Sequence, residues 1–453
     1  MADPNAASQG AAKAAGTSSS ASASQGNPVF RMMGMPNFRL KLPSRNWMIF
    51  LTITGSWTAA LVYDRREKKR VQQRYCDAVA HLAHETLPTN QMQRRMTIYL
   101  AGPPADGLMG AREHFIEYVK PILVAAAMDW DAVEGRREGD VRAQLAERIR
   151  KVRRERGEAS AEVDAGEEED VDSVVKQARA RAGIQEWQGV QGDIVIGRNT
   201  WKEYVRGLHE GWLGPLDAPP PKEEEELPPP PVSASADDAS PTAQQTPAGE
   251  GEKQKPEESQ KSEEELKKEE EQKKKKRTQP PPYISTNDYA TATLSPNCPP
   301  ELGPSVPVPY PHILGFLNTP IRMWRFLNRR RLADEIGAQV TAAVLAANRP
   351  YAGPESEFAE ERITPVGDED GEEKWEQQTA LKAEEKEWHK TVRKDAEKKR
   401  EEGKESLWCD GVVVDPRIGS RMRRFVLSEE DKARVGRILR GQEGVVGEEM
   451  KDE

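Results

Sequence analysis

The apolar positions of this chain fall into patches of different period, and each patch predicts a different element. The run from Trp47 to Tyr63 carries no charge and sits at the short end of the roughly 17 to 25 residues that a spanning helix needs. Its candidate membrane residues are Trp47, Ile49, Phe50, Leu51, Ile53, Gly55, Trp57, Ala59, Leu61 and Tyr63. Trp47 and Tyr63 stand at the ends, where amphipathic rings prefer headgroups, and Arg39, Lys41 and Arg45 on one side and Arg65, Arg66, Lys68, Lys69 and Arg70 on the other close the run off. The alternative is an apolar helix packed inside the soluble part, because Thr52, Thr54, Ser56 and Thr58 weaken the hydropathy. With Gly55 and Ala59, those hydroxyls also offer a face for a second membrane helix.

Beyond the run, Val71, Tyr75, Val79 and Leu82 keep helical spacing up to Pro88, which predicts a stiff stalk continuous with the apolar helix. The pattern then alternates. A strand Met96–Ala101 is followed by a helix from about Ala111, a strand around Met128 to Val133, charged helices over Arg136–Arg154 and Val171–Arg181, and a strand Asp193–Ile196. A closing helix follows Asn199; Thr200 to Glu203 forms a capping-box pattern, and Trp201, Tyr204, Leu208 and Trp212 form an apolar face. This is βαβ order. After the proline and charge runs near residues 216–281, Thr319 and Pro320 predict the start of a helix through Leu332, continued from Ala333 to Ala347. An acidic break near Gly367 to Glu373 precedes a very polar helix from Lys374 to about Glu402, seamed by Leu381, Trp388 and Val392. A strand pair, Gly411–Val414 and Met422–Leu427, turned at Asp415-Pro416, and a helix capped by Ser428 and stopped at Gly441 close the chain.

The fold class predicted is α/β: a single N-terminal transmembrane helix, then a soluble region with a small, mostly parallel sheet, interrupted by a long disordered linker. The boundaries are a disordered tail (1–35), a basic flank and transmembrane helix (36–63), a stalk helix and α/β domain (64–215), a Pro/Glu/Lys-rich linker (216–281) and a C-terminal helical region with a terminal strand pair (282–453). Composition supports partial disorder, since 32% of residues are charged and only 36% hydrophobic. The net charge of -9 is the remainder of large acidic and basic totals laid down in blocks, which fits neither a nucleic-acid-binding basic excess nor an acidic tail. Residues 1–30 hold Lys13 as their only basic residue before the flank and read as neither secretory signal nor Arg-rich presequence.

No catalytic, cofactor-binding or metal constellation emerges. The loop Ala101–Gly110 follows a strand and precedes a helix, as a phosphate-binding loop does, but Pro103 and Pro104 supply no N–H and no Gly-Lys-Ser/Thr follows. A tight structural turn is the expectation. His81 and His84, one turn apart with Cys76 nearby, lack a further ligand pair. Cys76, Cys298 and Cys409 are far apart; three reduced thiols are expected, with one bond between Cys298 and Cys409 as the alternative. The more informative stretch is Ile321 to Leu332. Arg322, Arg325 and Arg329 share a helical face, with Ile321, Trp324 and Leu327 or Asn328 beside it. Such an element is a solvated surface helix, a headgroup-seated helix on an anionic membrane, or an anchor in a partner's groove.

Three phrases carry a resemblance: Pro36 to Trp47 leading into the apolar run, Ile98-Tyr-Leu-Ala-Gly-Pro-Pro104, and His312-Ile-Leu-Gly-Phe-Leu-Asn-Thr-Pro320. Together they resemble the Tim-fifty-four family of fungal mitochondrial inner-membrane proteins, over about Pro36–Trp212 and Tyr283 to the C-terminus. The resemblance implies a non-catalytic scaffold subunit of the translocase that inserts multispanning carrier proteins into the inner membrane. It also implies partners: the carrier-translocase channel subunit, other inner-membrane subunits, small intermembrane-space chaperones and an inner-membrane AAA protease; the arginine-bearing helix adds membrane lipid such as cardiolipin, and charge and motifs call for no nucleic acid and no cofactor. The expected location is the mitochondrial inner membrane, single-pass, with the bulk facing the intermembrane space, although the denser basic flank after Tyr63 alone would place the bulk in the matrix. Readings from other classes are a membrane-tethered α/β enzyme using a nucleotide and an adaptor for the AAA protease.

Overall fold

The computed structural model describes residues 44–158, 171–185, 187, 191–219, 281–351, 375–401 and 405–442. Its elements, in chain order, begin with helix α1 (Arg45–Val79) and strand β1 (Arg95–Ala101), then helices α2 (Leu108–His114) and α3 (Lys120–Ala125), joined by a π turn over Phe115–Val119. Strand β2 (Asp129–Gly135), helices α4 (Asp140–Glu155) and α5 (Val171–Arg181), strand β3 (Asp193–Ile196) and helix α6 (Arg198–Leu213) follow. Beyond the linker come strand β4 (Ser305–Val308), helices α7 (Thr319–Phe326) and α8 (Arg329–Leu345), and strand β5 (Ala347–Pro350). Helices α9 (Glu376–Thr379), α10 (Lys390–Glu401) and α11 (Pro416–Gly419), strand β6 (Arg423–Val426) and helix α12 (Glu429–Leu439) complete it. The chain divides into two compact units, Met1–Leu61 and Val62–Glu453.

In the first unit the apolar run is helical, as expected, with Trp47, Ile49, Phe50, Leu51 and Ile53 exposed. The expectation of a spanning helix is not met on hydropathy: among the described residues no helix is long and apolar enough to cross a membrane. The physical reason is the polar content already visible at Thr52, Thr54, Ser56 and Thr58. Each of those hydroxyls donates to a carbonyl one turn back, those of Ile49, Phe50, Ile53 and Gly55 respectively, at 2.8 to 3.0 Å.

The second unit is built on a parallel four-stranded sheet in the order β2-β1-β3-β4. Alternate side chains enter opposite layers, as the two-residue period of a strand requires. Met96, Ile98, Leu100, Ile194, Ile196 and Val308 pack with Phe115, Ile122, Ile336 and Val340 on one face. Tyr99, Val133 and Val195 pack with Val141, Leu145, Trp201 and Tyr204 on the other. The fourth strand was not legible because Pro307 interrupts its pattern; β4 lies at the sheet edge, where a missing N–H is tolerated.

Several local expectations are corrected. Thr200 and Glu203 do not cap α6: Thr200 Oγ1 accepts from Ala101 N, and the Glu203 carboxylate accepts from Val141 N and Trp408 Nε1. Helix α4 starts at Asp140, not Arg136, because the Asp140 carboxylate accepts from Arg136 N and Arg137 N and holds them in a turn. Gly411–Val414 forms no strand; Asp415 instead caps α11 by accepting from Arg417 N, with Pro416 in the first turn. Strand β6 pairs antiparallel with β5. The single helix expected over Lys374–Glu402 is broken, with Leu381 at φ 56° between α9 and a 3-10 turn over Lys382–Glu387. The expected helix through Leu332 ends at Phe326, and a new one starts at Arg329. Ser428 does cap α12, accepting from Asp431 N, and Gly441 ends it at φ 69°. The tail, most of the linker and the acidic break lie outside the described residues.

Helix α6 is buried along all 16 residues, although it carries Arg198, Lys202, Glu203, Arg206, His209 and Glu210. Gly207 and Gly211 let α4 lie directly on it: a Cβ at Gly211 would stand 2.7 Å from the Ile149 Cβ. Across that contact the Glu210 carboxylate pairs with Arg142 and, at 2.8 Å, with Arg150, and accepts from Tyr283 N at 3.1 Å. Removing the carboxylate takes the ion-pair partner from two buried guanidinium groups. Glu210→Ala is therefore expected to lose about 3–5 kcal/mol of unfolding free energy in urea titration; a loss below about 1 kcal/mol would show that water reaches the arginines.

Histidine chemistry gives a pH dependence. His209 Nδ1 lies 2.7 Å from Val205 O, and Nε2 accepts from Asp415 N at 2.9 Å, so only the neutral ring fits. Burial pushes its pKa from 6.5 down to about 4. A folded value below the unfolded one contributes stability that is complete above about pH 6.5 and is lost as pH falls through about 4. The contribution is on the order of 3 kcal/mol. The buried carboxyls Glu203 and Glu384, pushed up to about 7 by desolvation, act in the opposite sense. They are common to parent and variant, so they cancel in a comparison. Between pH 4 and 6.5 the stability advantage of the parent over His209→Gln should grow as pH rises; an advantage independent of pH would exclude His209 as a titrating contributor.

Candidate functional site

The arginine-bearing segment is organised by a residue far away in sequence. Asp64, 1% exposed, accepts from Arg329 N at 3.1 Å and Arg330 N at 3.3 Å, placing its carboxylate at the N-terminus of α8. Free N–H groups and the positive end of the macrodipole make that position favourable for an anion. The Arg330 guanidinium lies 5.3 Å from the Tyr63 ring centroid. Further along α1, Tyr75 OH donates to Asp334 at 2.7 Å and its ring covers Gly337, where a Cβ would come within 2.3 Å of the ring. Lys68 and Arg329 both reach Glu117, which lies in the π turn, and Gln72 Nε2 donates to its carbonyl. The stalk part of α1, the π turn and α8 are thus cross-braced.

The three predicted arginines part company. Arg325 makes a two-pronged pair with Glu387, Arg329 pairs with Glu117 at 3.4 Å, and Arg322 is left exposed. Ile321 and Trp324 are exposed too, whereas Leu327 is half-buried in the break between α7 and α8. Sequence reasoning missed the most exposed apolar residues, Phe316 and Leu317, at 89% and 91%. It also missed Asp64. The signal for Asp64 was present: it is the single acid between the apolar run and the arginines that follow.

The loop after β1 is a structural turn. Asn199 Nδ2 donates to Gly102 O at 2.9 Å, and Asp106 Oδ1 accepts from Gly107 N at 2.7 Å. His312 Nε2 lies 3.2 Å from Asp106 Oδ2, so the phrase Ile98–Pro104 and the phrase His312–Pro320 meet through adjoining residues. His114 Nε2 stands 3.1 Å from Pro309 O, and Glu384 accepts from both Arg198 N and Tyr310 N, fastening the same corner. Cys76, Cys298 and Cys409 are free thiols. Cys76 faces Pro121 O while burial lowers the pKa of His81, and among the described residues no three His, Cys, Asp or Glu side chains are placed to hold a metal ion. In a cleft of about 450 Å³ lined by Arg153, Glu158, Ile284 and Ser295, Glu158 takes both Arg153 and Ser295.

A family model described as inner membrane protein import complex subunit Tim54 matches residues 27–425. A protein of Aspergillus oryzae named mitochondrial import inner membrane translocase subunit tim54 is 52% identical over 423 residues, covering 92% of this chain and 91% of its own. Its Neurospora crassa namesake is 51% identical, covering 93% and 85%, and that of Schizosaccharomyces pombe 33% identical, covering 66% and 76%. The two phrases that adjoin at Asp106 and His312 lie within the matched span, and with that match running nearly from end to end, the chain belongs to the Tim54 family.

Proposed function

We propose that this chain is a non-catalytic scaffold subunit of the mitochondrial inner-membrane translocase that inserts multispanning carrier proteins. The observation that carries the reading is the match across some nine-tenths of both chains to a relative named as a mitochondrial import inner membrane translocase subunit. The architecture supports it. Among the described residues, buried Arg142 and Arg150 pair with Glu210, and buried Arg198 and Lys202 with Glu385, while Phe316, Leu317, Arg322 and Trp324 face outward as apolar and cationic groups suited to assembly.

In this reading Trp47–Tyr63 crosses the inner membrane once. The helix rises about 26 Å over that run, at the thin end of a hydrocarbon core. Its hydroxyls lower the hydropathy, but each donates to a carbonyl of the same helix and so leaves no unsatisfied donor. The bulk after Arg65 faces the intermembrane space, where it docks the small chaperones that deliver carriers, while the channel subunit and other membrane subunits pack on the face of Gly55 and Ala59. The segment with Ile321, Arg322, Trp324, Arg325, Leu327 and Arg329 provides a contact with lipid or a partner.

Two measurements test this. Protease added to mitoplasts should degrade the chain beyond about Arg65; complete protection until the inner membrane is opened would place the bulk in the matrix. Mild-detergent purification of the tagged full chain should recover the channel subunit and small chaperones. Recovery of an inner-membrane AAA protease without translocase subunits would replace the scaffold reading with that of a protease adaptor.

A further inference from the structure

The segment from Phe316 to Trp324 has no evident reason to look as it does in water. Phe316 and Leu317 are about nine-tenths exposed, and Ile321, Met323 and Trp324 about half exposed, all within nine residues. Contiguous apolar exposure of this kind marks a contact surface. The segment is held firmly while it exposes them: Asn318 Nδ2 donates to Leu314 O at 2.7 Å, Thr319 Oγ1 donates to Phe316 O, Asn328 Nδ2 donates to Trp324 O, and Arg325 is clamped by Glu387. Gly315, at φ 106°, makes the turn that projects Phe316 and Leu317.

We propose that Phe316, Leu317, Ile321 and Trp324 form a shallow wedge seated in the anionic lipid surface of the same membrane, with Asp64 setting its depth. The inference rests on the reading that Trp47–Tyr63 spans that membrane. Two observations select lipid over a protein groove. The first is charge: from Tyr310 through Ala333 the sequence holds no acidic residue and five arginines, of which Arg322 and Arg331 are exposed, Arg331 lying 5.5 Å from the Trp324 ring. An apolar edge fringed by cations and carrying a Trp is the composition of an interfacial helix on anionic headgroups. The second is position. Asp64 is the residue that follows Tyr63, and it binds the first N–H groups of α8 directly, with Arg330 against the Tyr63 ring. By chain reach Leu317 lies within roughly 25 Å of that clamp. A helix start fixed to the residue where the apolar run ends leaves the wedge within chain reach of the interface. Arg65, Arg66, Lys69 and Arg70, all exposed on the stalk, extend the cationic fringe.

The test uses the full chain in nanodiscs of phosphatidylcholine and cardiolipin, with Cys76, Cys298 and Cys409 replaced by Ser and a single polarity-sensitive fluorophore at Leu317→Cys, Ile53→Cys or Glu430→Cys. Nitroxide groups on the lipid acyl chains should quench the probes at 53 and 317 and leave the one at 430 unaffected. Replacing Phe316 and Leu317 by Asp should abolish quenching of a probe at Ile321→Cys without shifting the melting temperature, since both side chains are already open to solvent. Quenching at 53 but not at 317 overturns the wedge and leaves the span standing; no quenching at either position overturns the span, and the wedge with it. A probe at 317 that stays in water in nanodiscs yet becomes shielded in the assembled translocase means that a protein covers the segment, and overturns the lipid assignment as well.

Discussion

Helix α6 lies at the centre of the folded unit with no face toward water, and seven of its side chains are ionisable, Tyr204 among them. An isolated charge in such a place would cost several kcal/mol, so each needs a partner brought to it. Most of those partners lie beyond the linker. Glu385 accepts from Arg198 and Lys202 at 2.7 and 2.8 Å, Glu405 takes Arg206, Trp408 Nε1 donates to Glu203, and Asp415 N donates to His209. The segment from Glu376 to Gly419 is therefore a lid whose polar content is complementary to one helix. The charges of Arg198, Lys202 and Arg206 thus meet their carboxylates only where the C-terminal part packs on α6.

The same constraint explains what was legible. The βαβ stretch announces itself because each element satisfies its own period, and β1, β2, β3 and the helices between them fell within a few residues of expectation. Elements whose form depends on distant partners did not. The apolar face read on α6 from Trp201, Tyr204, Leu208 and Trp212 is real, but the opposite face is buried as well. Thr200 and Glu203 look like a local cap in sequence and are spent instead on Ala101 N, Val141 N and Trp408 Nε1. The polar run after Lys374 reads as a solvated helix because its charges outnumber its apolar residues; it breaks at Leu381 because Glu384 and Glu385 must turn toward the start of α6. No periodicity analysis contains that information.

The contact segment was half legible for a related reason. Arginines at helical spacing are visible in a sequence, but whether a guanidinium is free depends on what stands opposite, and Glu387 and Glu117 claim two of the three. Phe316 and Leu317 were passed over because two apolar residues in a turn ordinarily go inward, and only the left-handed Gly315 and the bonds around Asn318 show them projecting out. Asp64 offers the opposite lesson. An acid placed directly after an apolar run and before a row of arginines invites the reading of a charge-neutralising residue, whereas its carboxylate caps a helix start some 265 positions later in the chain.

These features fit together mechanically. The stalk part of α1 is braced to α8 at three levels: Asp64 against the N–H groups of Arg329 and Arg330, Lys68 and Arg329 meeting at Glu117, and Tyr75 against Asp334 and Gly337. Helix α8 contributes Ile336 and Val340 to the layer beneath the sheet, so the bracing runs from the stalk into the core through packed side chains. Packed interiors transmit displacement because they compress little. The path from the start of the stalk to the sheet thus runs through hydrogen-bonded and packed side chains. In a chain proposed to hold others in place, the pairing of the buried ionisable side chains among the described residues and the triply braced stalk follow from one economy of the sequence: those side chains in the interior are committed to architecture, and the surface keeps apolar and cationic groups available for contact.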